Sequence, residues 1–324
     1  MQTSAQHFDL FNGDADGICA LIQLRLAEPK QTELVTGVKR DIKLLKKVKA
    51  EAADQLTVLD ISMDKNKPEL EAVLNTGAQV FYCDHHFAGN IPENENLTAL
   101  IDTSADTCTA LLINHYLKGR FENWAITAAY GDNLIQVADE LAQERGLSSE
   151  QAEQLKQLGI AINYNGYGAK EQDLHIHPAQ LYRLLVEYTD PLILIEENAE
   201  IYQQLIKNYQ ADMAQTQSAS LLHQSQAGLV YLLPNQPWAR RVSGVWGNDL
   251  ANQSKDQAHA VLTELAEGGY LVSVRAPKNR AAGADELCMK FETGGGRKAA
   301  AGINLLAENE LDRFFAEFDQ QFTV

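Results

Sequence analysis

Short apolar runs alternate with longer amphipathic stretches along roughly the first 135 residues. Residues 7–12, 33–38, 55–61, 78–84 and 97–102 are rich in β-branched or aromatic side chains and bounded by polar or glycine positions, so each predicts a buried strand. Helical patterns fall between them, over 17–28, 41–49, 68–75 and 107–117. This alternation predicts an α/β fold built on a parallel sheet. From 122 to 188 the pattern is mainly helical, interrupted by Asn-Tyr-Asn-Gly-Tyr-Gly at 163–168.

Pro191 then precedes a polar, amphipathic stretch over 196–226 with few breakers, which reads as a connecting helix. Beyond it come a strand at 229–234, a helical pair at 248–253 and 257–267, strands at 270–277 and 286–292, a glycine-rich turn and a final helix. This predicts a smaller α+β domain. The expected organisation is a parallel-sheet domain with a helical extension over 1–192, a linker helix over 193–227, and the smaller domain over 228–324. A chain of 324 residues is long enough for about two such cores.

Composition narrows the function. Lys and Arg number 27 against 44 Asp and Glu, a formal charge of -17. That balance disfavours a protein that coats long duplex nucleic acid, which needs many cationic phosphate contacts. The sign reverses in one window: residues 240–298 hold 9 basic and 7 acidic side chains. No stretch approaches the roughly 18–20 apolar residues of a spanning helix, and the first residues lack a basic segment followed by an apolar one. The expectation is a cytoplasmic protein without a membrane partner. Four cysteines, Cys19, Cys83, Cys108 and Cys288, lack metal-binding or disulfide spacing and are expected reduced.

Carboxylates recur where predicted strands end. Asp14 and Asp16 follow the first strand, Asp60 the third, and Asp84 with His85 and His86 the fourth, while Asp132 follows a helical segment. In open α/β sheets ligands bind outside the carboxyl ends of strands. Several carboxylates in one such crevice repel one another unless cations neutralise them. Two divalent ions about 3.5–4 Å apart would do so and create a hydrolytic centre. Mostly oxygen ligands with one imidazole suit Mn²⁺ or Mg²⁺ better than Zn²⁺. A single Asp-Gly pair is more often an ordinary turn; the recurrence carries the argument.

In order and spacing, Asp14-Ala15-Asp16-Gly17, Asp60, Asp84-His85-His86 and Asp132 resemble the four motifs of the DHH phosphoesterases. That superfamily includes RecJ-type exonucleases, nanoRNases, pAp phosphatases, cyclic-dinucleotide phosphodiesterases and family II pyrophosphatases. Residues 294–302 resemble the glycine-rich signature of the DHH-associated C-terminal domain. The resemblance implies one metal held by Asp14 and Asp60 and a second by Asp16, Asp60, His85 and Asp132, with Asp60 bridging. It further implies that Asp84 orients the site or binds weakly, that His86 contacts the scissile phosphate, and that a metal-activated hydroxide attacks phosphorus in line.

Two positions depart from the pattern. Asn12 stands where many relatives carry histidine; a neutral amide oxygen is the weaker ligand, and a strand-end turn residue is the competing reading. Arg297 stands where the glycine-rich signature usually has histidine. Gly294, Gly295 and Gly296 let the backbone approach an anion, and Arg297 can grip a phosphate with two donors. Arg275, at a strand end, resembles the family's substrate-facing arginine, against an ordinary surface arginine. Lys278, Arg280 and Lys298 add positive field.

Other features read as structural. The basic run from Lys39 to Lys49 reads as a solvated helix face. His175 and His177 read as loop histidines and Cys83 as core. Tyr164, Tyr167, Trp238 and Trp246 read as packing residues, with base stacking as the alternative.

The reading is a metal-dependent phosphoesterase for short oligonucleotides or a nucleotide such as pAp. Competing readings are a single-strand DNA exonuclease, a cyclic-dinucleotide phosphodiesterase, and a non-catalytic nucleotide-binding protein. A homodimer is compatible with the sequence.

Overall fold

The five apolar runs of the N-terminal region form one sheet in the computed structural model, which describes residues 5–323. They are β1 (His7–Phe11), β2 (Glu33–Val35), β3 (Gln55–Leu59), β4 (Gln79–Asp84) and β5 (Leu97–Ile101), all parallel, in the order β2-β1-β3-β4-β5. The chain leaves β1 toward β2 on one side and returns to β3 on the other. The loops diverge at that reversal and open a crevice at the carboxyl edge.

Alternate residues serve opposite faces. Phe8, Leu10, Leu56, Val58, Val80 and Tyr82 join one core with Leu70 and Val73 of α2 (Lys67–Asn75). Phe11, Leu59 and Cys83 join the other, against α1 (Ala15–Ala27), α3 (Thr109–Tyr116), α4 (Glu122–Gly131), α5 (Ile135–Glu144), α6 (Ser149–Asn165), α7 (Pro178–Leu185), α8 (Pro191–Glu196) and α9 (Glu200–Gln215). α1 is buried without a break from Ala15 to Arg25, because it lies between the sheet and the helical layer. Its first turn therefore starts at the sheet's crevice.

Contacts divide the chain into two compact units, Met1–Tyr209 and Gln210–Val324. The second unit holds β6 (Ser220–Gln224), β7 (Gly228–Leu233), α10 (Pro237–Gln253), β8 (Ala258–Glu264), β9 (Tyr270–Arg275), α11 (Ala284–Cys288), β10 (Gly294–Arg297), β11 (Ala300–Leu306) and α12 (Leu311–Phe322). Its sheet runs β10-β11-β9-β8-β7-β6, antiparallel except between β7 and β8. Phe314, Phe318 and Phe322 of α12 fill one face, while Trp246 of α10 packs on Tyr231. All four cysteines are buried and free. Among the described residues no helix is long and apolar enough to cross a membrane.

Five element expectations need correction. The predicted helix over 41–49 is only a 3₁₀ turn, Leu44–Lys47, pinned by Asn66, whose side chain takes the Leu45 N–H and the Ile42 carbonyl. The long helix over 196–226 is not continuous. α9 stops at Gln215, where the Thr216 and Ser218 hydroxyls turn back onto carbonyls of the last turn, and residues 220–224 become an edge strand. Residues 257–267 contain strand β8, whose first six residues are all buried; a strand covered on both faces loses its alternation and reads as a helix. Residues 286–292 belong to the short helix α11 and the turn after it, not to a strand. The glycine-rich segment is the edge strand β10 of a hairpin, with Gly296 at φ +146° packed against Ala301.

Candidate metal centre

The carboxylates predicted at strand ends converge at the reversal between β1 and β3. Asp14 caps α1: its Oδ1 accepts the Gly17 N–H at 3.1 Å, and its Oδ2 lies 2.7 Å from Lys39 Nζ. Asp16, in the first turn of the same helix, accepts the N–H groups of Thr109 at 2.8 Å and Ala110 at 2.7 Å, the open donors at the start of α3. Asp60 follows β3 at φ +57°, a left-handed conformation in which its own N–H reaches the Cys83 carbonyl. Its Oδ1 is buried and meets no hydrogen-bond partner. The orphaned oxygen is therefore the feature that calls for a cation.

His85 supplies the nitrogen. Its Nδ1 lies 3.1 Å from the Thr107 carbonyl, and that hydrogen bond puts the proton on Nδ1 and leaves the Nε2 lone pair for the cluster. Nε2 lies 3.4 Å from Asp60 Oδ1, 3.8 Å from Asp16 Oδ2 and 4.0 Å from Asp132 Oδ2. Asp132, at the C-terminal end of α4, thus enters from the helical layer. Asp16, His85 and Asp132 offer ligand atoms all within 4.8 Å of one another, as do Asp60, His85 and His86. One carboxylate-rich, single-imidazole set of this kind fits a hard divalent ion.

His86 is oriented by Asp84. Its Nδ1 donates to Asp84 Oδ1 at 2.8 Å and lies 3.6 Å from Asp60, while its side chain remains 43% exposed. The hydrogen bond to Asp84 raises its pKa and favours the cationic ring, against the effect of burial. Asp84 itself is fully buried, and its Oδ2 is unpartnered.

The electrostatics match this crowding. Burial, reinforced by the charges of Asp14, Asp16, Asp84 and Asp132, pushes Asp60 well above the usual carboxylate range. Burial and Asp16 push Asp132 up to about 6. Asp14 is the exception: burial opposes its charge, but Lys39 and the Gly17 N–H hold it below the ordinary value.

Lys39 was expected on a solvated helix face and is instead part of the centre. Its Nζ lies 2.7 Å from Asp14, 3.6 Å from Asp132 and 2.9 Å from Asn163 Oδ1. Burial alone would lower its pKa, but Asp14, Tyr167 and Asp132 raise it. Asn12 turns its amide N–H toward this segment, donating to the Lys39 carbonyl at 3.2 Å, and its buried Oδ1 has no partner. The available signal was positional: Lys39 follows β2 closely, another strand end of the same sheet.

The remaining candidates belong to other elements. Arg275, in the second unit, donates to Asn248, Ser273, the Val274 carbonyl and the Gly244 carbonyl, tying β9 to α10. Arg297 is exposed at the end of β10, and the space beside Gly295 is open. Tyr164 is buried against Tyr209, and His177 caps α7 through the Ala179 N–H.

No protein-family model matches the sequence, and no curated protein matches it. Similarity appears in solved structures. A DHH domain from a member of the s1p family of ribosomal proteins matches at TM-score 0.63 and 14% identity, over 98% of this chain and 86% of that one. Exonuclease RecJ bound to manganese matches at TM-score 0.62 and 17% identity, over 97% and 89%. PggH from Vibrio cholerae, a pGpG-specific phosphodiesterase, matches at TM-score 0.54 and 14% identity, over 98% and 99%. The chain shares its fold with these DHH-domain, RecJ and PggH structures over nearly all of its length.

Proposed function

We propose that this chain is a divalent-metal-dependent phosphoesterase acting on short oligonucleotides or nucleotides. The carrying observation is the His85 Nε2 lone pair facing Asp16, Asp60 and Asp132 while Nδ1 is locked on a backbone carbonyl. These four side chains would hold the ion, and Mn²⁺ is the candidate, the metal bound in the RecJ structure. When bound, such an ion supplies a water that ionises near neutral pH and offsets charge on the phosphate. His86, held toward its cationic form by Asp84, is placed to donate to a phosphate oxygen. Arg297 and the Gly294, Gly295 and Gly296 backbone are the proposed grip on the rest of the substrate, with Arg275 bracing β9 against α10.

Two observations support a short substrate. The charge of -17 disfavours tracking along an extended strand. PggH, which this fold matches over nearly its full length, carries a two-nucleotide substrate in its name. A panel of pAp, di- to pentanucleotides, long single strands and cyclic dinucleotides, assayed in Mn²⁺ and Mg²⁺, tests the proposal. Turnover is expected for the short linear substrates and is lost in Asp60→Asn. A rate that climbs steeply beyond about ten nucleotides and falls with salt would make the chain a strand exonuclease. Nucleotide binding without turnover in either metal would make it a binding protein.

A further inference from the structure

We propose that the Lys39 ammonium takes the place of one of two metal ions, so that the centre works with a single divalent ion held by Asp16, Asp60, His85 and Asp132. This rests on the phosphoesterase reading and specifies its metal content.

Asp14 has both of its oxygens engaged. One of its oxygens caps α1 through the Gly17 N–H, and the other faces Lys39 Nζ at 2.7 Å. A dication on Asp14 would therefore sit against an ammonium. Lysine is a compact point charge, suited to filling a cation position between carboxylates. Its second carboxylate, Asp132 Oδ1 at 3.6 Å, is the other oxygen of the residue whose Oδ2 faces His85. Asp132 thus joins the two cation positions, the ammonium on one oxygen and the metal on the other.

Lys39 is also built into place. Its N–H donates to the Gly166 carbonyl at 2.8 Å, its carbonyl accepts from Asn12 Nδ2 at 3.2 Å, and its Nζ reaches Asn163 Oδ1 at 2.9 Å. The Tyr167 ring lies 5.7 Å from Nζ, within cation–π range. The loop can come this close because Gly13 has no side chain: a Cβ there would fall 2.0 Å from the Gly37 carbonyl oxygen. Asn12 donates its amide N–H to the lysine segment, and its buried Oδ1, which has no hydrogen-bond partner, is a neutral donor beside a position already filled by the ammonium. Asn12 and Lys39 are one device, in which the amide holds the backbone that delivers the ammonium.

The experiment titrates EDTA-stripped full-length protein with Mn²⁺ alone, reading stoichiometry by calorimetry and elemental analysis, and spin coupling by electron paramagnetic resonance. Wild type is expected to bind one ion per chain with an uncoupled spectrum. Lys39→Met, neutral and of similar length, is expected to bind two coupled ions. Asn12→His alone is expected to stay at one. Two coupled ions in the wild type, a single ion in Lys39→Met, or a second ion in Asn12→His would each overturn the role of Lys39. If Lys39→Met does not fold, the wild-type stoichiometry decides, one supporting and two overturning. Two ions with full hydrolysis would overturn the lysine proposal alone. A wild type that neither binds Mn²⁺ nor hydrolyses any substrate would overturn the phosphoesterase reading as well.

Discussion

Asp9 and Asp60 are both buried acids of the N-terminal sheet, one in the middle of β1 and the other just past the end of β3. Asp9 arrives with its counter-ion: Arg25 of α1 pairs with both its oxygens, Nε to Oδ2 at 2.8 Å, and Thr32 adds a third donor at 2.7 Å. Arg25 in turn bonds Thr57. Asp60 has an orphaned oxygen and four acids acting on it. In the first region the chain supplies every partner a buried charge needs. In the second it leaves one oxygen without a hydrogen-bond partner, the place that the proposed ion would fill. Asp212 and Arg241 in the second unit repeat the closed arrangement, with a bidentate pair at 2.7 and 3.0 Å.

Substitution separates the two kinds of acid. Asp60→Asn should lower kcat/KM in Mn²⁺ by about a thousandfold or more, the equivalent of roughly 4 kcal/mol of transition-state stabilisation. The same change should raise the melting temperature of the metal-free protein, because an amide there needs no counter-ion. A metal-free variant that melts lower than wild type would break the comparison. Arg25→Met should do the reverse, costing about 3–5 kcal/mol in denaturant titrations by stranding Asp9. Its kcat/KM per folded molecule should stay unchanged.

Smaller effects sharpen the contrast. Asp84→Asn should reduce kcat/KM by about 10–100-fold, as loss of an orienting partner does. Because Asp84 raises the pKa of His86, the variant should also lose activity at a lower pH on the alkaline side of its profile. The smallest effect is a pH dependence of the metal-free protein. Asp132 is raised to about 6 from an unfolded value near 3.8, so the folded state binds its proton more tightly. That contribution to stability is complete below about pH 4 and is lost as pH rises through 6. Melting curves of metal-free wild type and Asp132→Asn should therefore differ in slope between those values, and parallel curves would contradict the raised pKa.

The N-terminal sheet was legible because each strand is a short apolar run closed by a polar end, and strand ends in such a sheet are where ligands gather. Asp14, Asp16, Asp60, Asp84 and His85 follow directly from that rule. Lys39 did not, because a basic run beside Leu44 and Leu45 has the outline of an amphipathic helix. Its true place depends on Gly13 and Gly37 meeting, a contact between segments that periodicity does not carry. The second unit misled for another reason. β8 is buried over six consecutive residues and α11 is a single short helix after a left-handed Gly283, so neither displays its own period. Arg275 was legible as a strand-end cation, but its ties to α10 were not.

Asp14 and Asp16 each start a helix, α1 and α3, as well as facing the cluster. A capping side chain is worth about 1 kcal/mol to the helix it begins. Selection for folding alone would therefore preserve both acids in a descendant that had lost its chemistry. Asp60, in a left-handed turn with an unsatisfied oxygen, brings the scaffold no such benefit. In this chain, then, Asp60 is the acid of the cluster whose presence folding alone does not explain, and the first aspartates of the sequence are weaker evidence of chemistry.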